Sequence, residues 1–399
     1  MGAAPYGEIY GMIADTLKAG AAFAWLGAMN GTLRFMERVL WPRRRPREVR
    51  TVCIHRVGSI GDIVCAIPAI KAIRANYPRA HITLLTSSSG NMPGARNILA
   101  QAKWLDEIWV YGQDEIIRDP WRFFMAVRAR SFDVWVNLPQ RLANIRREMR
   151  NMLFARLAGS RWACGFRVSI TDIFRKAQAR TRLFPPEHDR LLDILRDAEL
   201  LVERPEMDLP VTQGDRVLMA RRLADLGVGT APLLGMAPGG KQPACVWPLE
   251  RFIEVGRRWI EGGGKVLVIG GPSERYLGES IRVKLGAAVM NICGETSVLQ
   301  TAEALRHCDI LLTNDSGPMH LAGAVGTPCV VPMTAHNFKW EWRPWGNCHH
   351  IIRKDEPCSP CHLVECDRNN VCLATISIDE VWEKANPFIK CSAEFVASR

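Results

Sequence analysis

The chain has no uncharged apolar run of the roughly 18–20 residues that a membrane-spanning helix needs. Its nearest candidate, Ala19–Met29, is too short and follows Asp15 and Lys18. A polytopic membrane protein is therefore excluded. The start of the chain lacks the basic and apolar regions of a secretory signal, so a cytoplasmic protein is expected. There is no G-x-G-x-x-G fingerprint with a closing acidic residue, which argues against a dinucleotide site. An internal repeat of the solenoid kind is missing too. The 13 cysteines are too sparse in 399 residues to make a small disulfide scaffold. Cys53, Cys65, Cys293, Cys308 and Cys329 stand alone in apolar runs and read as reduced core thiols.

What remains is an ordinary globular composition, 48% apolar and 23% charged, with formal net charge +11. Part of that excess is concentrated in Arg43, Arg44, Arg45, Arg47 and Arg50. Such a bias favours a polyanion: nucleic acid, anionic lipid or a phosphorylated substrate. Just upstream, Ile9–Leu40 is helix-permissive, although Gly20, Gly27 and Gly31 weaken it. An apolar helix followed by arginines either lies on an anionic membrane surface or packs on the protein's own core. Residues 1–50 are thus read as an amphipathic, basic N-terminal extension.

From Thr51 the pattern alternates strand and helix. Strands are expected at Thr51–His55, His81–Thr86, Glu107–Val110 and Asp133–Asn137, with helices through Asn76 and over Arg122–Arg130. A second series begins near Pro232. Its strands are Leu233–Ala237, Lys265–Ile269, Val289–Ile292, Asp309–Thr313 and Cys329–Val331. Helices Leu249–Glu261, Ser273–Leu285, Val298–Arg306 and Met319–Ala324 fall between them. Glu203–Gln213, with Pro205 and Pro210, reads as the linker. The pattern predicts an α/β protein of two Rossmann-like, doubly wound domains, 51–210 and 211–399, facing a central cleft that takes the ligands.

Three strand ends carry candidate chemistry. Thr51–His55 runs into Arg56-Val57-Gly58-Ser59-Ile60-Gly61-Asp62. Asp62 there either caps a helix or takes a proton from a bound hydroxyl as general base. Asn314-Asp315-Ser316-Gly317-Pro318-Met319-His320 joins a strand to a helix whose N-terminus suits a diphosphate. In that segment Asp315 is placed to accept from sugar hydroxyls, and His320 is either a phosphate donor or a satisfied helical residue. Gly239, Gly240 and Lys241 follow another strand, with Lys241 a phosphate clamp or a solvated loop lysine. Glu274, after Gly270-Gly271-Pro272, either binds ribose hydroxyls or favours a helix N-terminus.

Together, Arg56-x-x-Ser59-x-Gly61-Asp62, Pro68, Trp247-Pro248, Gly270-Gly271-Pro272, Asn314–Ala322 and Gly326-Thr327-Pro328 resemble glycosyltransferase family nine, the lipopolysaccharide heptosyltransferases. The resemblance covers about residues 51–385. It implies a GT-B fold, an inverting mechanism without a catalytic metal, and an ADP-heptose donor bound mainly by the C-terminal domain. It also implies an N-terminal acceptor domain, with Asp62 as base, Glu274 at the ribose and Asp315, Ser316, Gly317 and Pro318 as the donor loop. The family often has a basic residue just before the Trp-Pro pair; here Cys245 and Val246 stand there. Lys241 is the candidate to supply that phosphate contact.

Cys358-x2-Cys361-x4-Cys366-x5-Cys372 reads either as four ligands of one structural Zn or Fe, or as free thiols. Trp340, Trp342 and Trp345 form a sugar-stacking wall or pack the end of the chain onto the core. The expected partners are a nucleotide-sugar donor, a glycolipid or glycan acceptor and an anionic membrane surface, without nucleic acid. The expected location is cytoplasmic and peripheral on the inner membrane. Two alternatives stand beside this reading: a transferase of the same fold with another donor or a protein acceptor, and a non-catalytic basic protein that binds glycolipid.

Overall fold

The computed structural model describes residues 6–42, 45–87, 94–177, 184–203, 205–225, 227–229 and 231–389. Arg43 and Arg44 of the arginine cluster lie outside that set. The chain divides into two compact units, residues 1–96 with 103–206 and residues 97–102 with 207–399. No helix among the described residues is long and apolar enough to cross a membrane.

The first unit holds a parallel sheet of β1 (Thr51–His55), β2 (His81–Ser87), β3 (Glu107–Tyr111), β4 (Val134–Asn137) and β5 (Trp162–Cys164), in the order β3-β2-β1-β4-β5. Val52, Cys53 and Ile54, and Val134, Trp135 and Val136, are all buried. A parallel sheet covered on both faces calls for such unbroken apolar runs. The second unit holds β6 (Leu233–Ala237), β7 (Lys265–Val268), β8 (Val289–Asn291), β9 (Ile310–Thr313), β10 (Cys329–Met333) and β11 (His350–Arg353). They are also parallel, in the order β11-β10-β9-β6-β7-β8. Trp247, Phe252 and Trp259 fill the core of this unit together with Val381 and Ala385 of the helix Ile378–Ala385. The α/β fold of two Rossmann-like sheets is the one expected from the sequence. In each sheet the strand order reverses beside the first strand, at β1/β4 and at β6/β9. The carboxyl ends of open α/β sheets receive ligands at such points.

The helix Tyr6–Leu40 packs on the first unit. Phe23 meets Phe174 edge-on with ring centroids 4.8 Å apart, and the indole N–H of Trp41 donates to the Ser160 carbonyl at 2.9 Å. Glu37 accepts from the Arg167 guanidinium at 2.9 Å and from the Phe166 N–H at 3.1 Å. Leu33 and Ala22 are buried. Of the two sequence readings of this segment, packing on the protein's own core is the arrangement observed. Gly20, Gly27 and Gly31 are exposed, and a Cβ at any of them would meet no heavy atom within 4 Å. Each Gly→Ala replacement is therefore expected to stabilise the protein by about 0.5–1 kcal/mol. Urea unfolding checks this; a lowered midpoint would mean that this face of the helix is covered.

Candidate functional site

The turn after β1 is built around one buried cation. The Arg56 side chain is fully buried. Its guanidinium donates to the Pro139 carbonyl at 2.9 Å, the Asp62 carbonyl at 3.1 Å and the Glu187 carboxylate at 3.0 Å. Burial alone would push Glu187 up, but Arg190 and Arg56 outweigh it and hold the carboxyl below its ordinary range. Ser59 begins the helix Ile60–Asn76, and Asp62 is its third residue. Asp62 Oδ2 accepts from the Ser59 N–H at 3.0 Å and the Ser59 hydroxyl at 3.1 Å, the reciprocal part of a capping box. Asp62 Oδ1 lies 3.4 Å from Arg56 Nη2. Gly58 is required here, because a Cβ would come within 2.2 Å of the Asp62 Cβ. The capping reading of Asp62 is thus met in geometry. Its second oxygen lies beside the guanidinium, and the Asp62 side chain as a whole is 21% accessible.

A second polar group crosses the β1/β4 reversal, and the sequence did not single it out. His55 ends β1, Asn137 ends β4 and Tyr111 ends β3. His55 Nδ1 is 3.0 Å from Asn137 Oδ1, and His55 Nε2 is 3.3 Å from the Tyr111 hydroxyl. The Asn137 amide donates to Glu148 Oε2 at 2.7 Å. Burial lowers the His55 pKa, against the hydrogen bond that Asn137 Oδ1 accepts from the ring. Burial also pushes the Glu148 carboxyl up to about 8, against Arg147 and Arg190. Only their place at strand ends marks these residues, and a strand end cannot be paired with its neighbour from sequence. The raised value has a sign. Between the ordinary carboxyl value and about pH 8 the folded protein holds a proton that the unfolded chain has released. Stability from this group is complete at acid pH and falls as pH rises through that window, by up to ~1.4 kcal/mol per pH unit at mid-window. Glu148→Gln is expected to flatten that slope in melting curves taken from pH 5 to 8; parallel slopes would remove the buried neutral carboxyl.

In the second unit, three loops stand at the carboxyl ends of the neighbouring strands β9, β6 and β7. Asn314, fully buried after β9, ties two of them together. Its amide donates to the Pro238 and Gly239 carbonyls at 2.9 and 3.0 Å, and its oxygen accepts from the Trp247 N–H at 3.0 Å. The Trp-Pro pair thus belongs to the frame of the site: Trp247 is buried in the core and anchors this hydrogen bond. Glu274 lies against the glycines of the other two loops. The Gly271 N–H donates to Glu274 Oε2 at 2.7 Å, and a Cβ on Gly239 would fall 1.8 Å from Glu274 Oε1. Gly240 is half-buried and Lys241 is exposed on the same loop. Ser316 precedes the helix Gly317–Val325, with Pro318 in its first turn. The Ser316 hydroxyl does not cap this helix; it sits 3.4 Å from the Thr313 hydroxyl. The first-turn N–H groups therefore have no side-chain cap from Ser316, the condition an anion needs. Asp315 accepts from the Asn337 amide at 3.3 Å. His320 is buried one turn into the helix, its ring edge-on to Trp342 at 5.8 Å. The structure brings Gly239, Gly240, Lys241, Glu274 and Asp315–Pro318 to one sheet edge.

The Cys-rich loop is laced to the segment that follows Lys241. The Ala244 N–H donates to the Val364 carbonyl at 3.2 Å, and the Asn370 amide donates to the Pro243 carbonyl at 3.0 Å. Burial raises the Cys361 thiol pKa, and Cys358, Cys366 and Cys372 raise it further. Among the described residues, no three His, Cys, Asp or Glu side chains gather into a metal-holding group, these cysteines included.

Two parallel sheets with loops at their reversal points define a protein built of two Rossmann-like units. The model of glycosyltransferase family 9 (heptosyltransferase) matches residues 121–371, and the chain belongs to that family. It is 32% identical over 128 residues to lipopolysaccharide heptosyltransferase 2 of Salmonella typhimurium, covering 31% of this chain and 36% of the relative. The chain spans between 31% and 52% of the length of this and two similar curated relatives. Its fold is similar to a family 9 glycosyl transferase of Veillonella parvula, with TM-score 0.68, 18% identity, and 85% and 97% of the two chains covered. It is also similar to the ADP-heptose lps heptosyltransferase II of E. coli, with TM-score 0.63, 20% identity, and 86% and 99% covered.

Proposed function

We propose that this protein is an inverting heptosyltransferase that moves heptose from ADP-heptose to a lipopolysaccharide core acceptor. The observation that carries the reading is the edge formed by β9, β6 and β7. It places a carboxylate, a lysine and a helix N-terminus that Ser316 does not cap around glycine-lined backbone. The names of the family and of its relatives support the sugar and the acceptor class.

In this reading the helix start at Ser316–Pro318 and Lys241 hold the diphosphate, and His320 adds a donor from within the first turns. Glu274 accepts from the ribose hydroxyls, and Asp315 accepts from the sugar. The acceptor hydroxyl oxygen attacks the anomeric carbon from the face opposite the diphosphate. The bond from that carbon to the diphosphate oxygen breaks, ADP leaves with the electron pair, and Asp62 takes the hydroxyl proton. Charge building on the diphosphate is met by donors already in position, which is where electrostatic catalysis acts. On this reading the enzyme works at the cytoplasmic face of the inner membrane.

The test is ADP release from ADP-heptose, with and without a heptose-deficient lipopolysaccharide acceptor. A slow release without acceptor, rising sharply with it, is expected. A protein whose melting temperature does not move with ADP-heptose, and which releases no ADP, is not this enzyme; ligand binding stabilises by mass action.

A further inference from the structure

The helices Pro120–Ala129 and Ile145–Leu157 lie side by side in the first unit. They are joined by Phe123 and Phe124, each with its ring centroid 5.9 Å from that of Phe154. Outward from that seam, Ile145–Leu157 presents Arg146, Met149, Arg150, Leu153, Arg156 and Leu157 in one exposed stripe. These positions recur at the three- and four-residue spacing of a helix face. Leu153 is 53% exposed, and Trp121, on the neighbouring helix, is 68% exposed. The N-terminal helix also packs against Ile145–Leu157 and exposes Phe35 and Val39.

Within these two helices the exposed charge has one sign, while Asp119, which caps Pro120–Ala129, and Asp114 just before it are exposed carboxylates at the margin of the face. Pro120–Ala129 contains no Asp or Glu, and the single carboxylate of Ile145–Leu157, Glu148, points into the core and is 1% exposed. Exposed apolar side chains interleaved with arginines match the boundary of an anionic bilayer. There the apolar groups enter the acyl region, while guanidinium groups stay with lipid phosphates. A second copy of this chain is a poor occupant. A two-fold interface sets the same patch against itself, and would bring arginine against arginine.

We infer that the face formed by Trp121, Met149, Leu153, Leu157 and the arginines between them is the surface by which this protein rests on an anionic phospholipid bilayer. This deepens the proposed function, since a glycolipid acceptor is presented at such a surface. It also moves the lipid contact away from the extreme N-terminus. Removing residues 1–45 would strip Leu33 and Trp41 from the core, so deletion cannot separate docking from folding.

The experiment is co-sedimentation of the full-length protein with vesicles. One set is phosphatidylglycerol mixed with phosphatidylethanolamine, the other phosphatidylcholine alone. Wild type is expected to favour the anionic vesicles and to lose affinity as salt rises. Each arginine contributes about fivefold on such surfaces, so Arg146→Gln/Arg150→Gln/Arg156→Gln together should weaken binding roughly a hundredfold. Trp121→Ser/Leu153→Ser should weaken it as well, whereas Arg257→Gln, on the second unit, should not. Melting curves and acceptor-free ADP release verify that the variants fold. Equal binding to both vesicle types, or undiminished binding by the triple-arginine variant, overturns the inference. So does a wild-type dimer that Leu153→Ser splits into monomers. Acceptor-free ADP release needs no membrane, so the transferase reading can stand while this one falls.

Discussion

Asp62→Asn is expected to lower kcat by roughly 10²–10⁴-fold, the usual worth of general base catalysis. The two oxygens of this carboxylate have different neighbours. One completes the capping box with Ser59, and the other lies beside Arg56. An Asn must keep its oxygen at Ser59 to preserve the cap. Its NH2 group then faces the Arg56 guanidinium, donor against donor. The substitution therefore costs some stability as well, because the carboxylate's attraction to the Arg56 guanidinium is lost. Turnover has to be measured well below the melting temperature of the variant, with saturating donor. Ser59→Ala supplies the control: it loses the side-chain part of the cap, costs about 1 kcal/mol, and leaves the carboxylate in place with turnover near wild type. If folded Asp62→Asn turned over within about threefold of wild type, Asp62 would be a helix cap and a partner for Arg56 only. Asp315 would then be the next carboxylate to test as base.

Much of this site was legible because its residues are consecutive. A strand, a glycine turn and a helix start can be read together at Thr51–Asp62 and at Asp309–His320. Leu249–Glu261 and Val298–Arg306 were readable to the residue; the latter begins at a Ser297–Gln300 capping box. What the sequence hid is long-range or brief. β5 has three residues and β11 four, too few to show a period. Helix Ile145–Leu157 went unread because it carries four arginines, and part of its buried side is Glu148, a residue that patterns as surface. The Arg56–Glu187 pair spans 131 positions, and the Asn314–Trp247 hydrogen bond spans 67. In the first case the motif residue was visible and its partner was not; in the second both motif residues were visible and their contact was not. The N-terminal helix shows the same limit: its existence followed from composition, whereas the surface it covers depends on Phe174, Ser160 and Arg167, all far along the chain.

Gly239→Ala is expected to cost at least tenfold to a hundredfold in ADP-heptose affinity while leaving the protein folded. The new Cβ would stand 1.8 Å from Glu274 Oε1 and 2.3 Å from its carboxyl carbon. No bond in that contact can yield by such a distance, so the Glu274 side chain must leave. It has little room to adjust where it is. Oε2 is held by the Gly271 N–H, and Gly270 already brings its backbone so close that a Cβ there would lie 2.8 Å from Oε2. Swinging to solvent gives up that capping hydrogen bond, worth about 1 kcal/mol of stability. It also withdraws the carboxylate from the ribose it is proposed to meet, where a charge-assisted hydrogen bond contributes about 1.5–3 kcal/mol. Glu274→Ala should reproduce the loss, and the double variant should bind no worse than either single one, because both remove the same carboxylate. Calorimetric titration with ADP-heptose gives all three values. Additive losses would mean that Gly239 acts on the donor through its own backbone instead, and wild-type affinity in Gly239→Ala would take Glu274 out of the donor site.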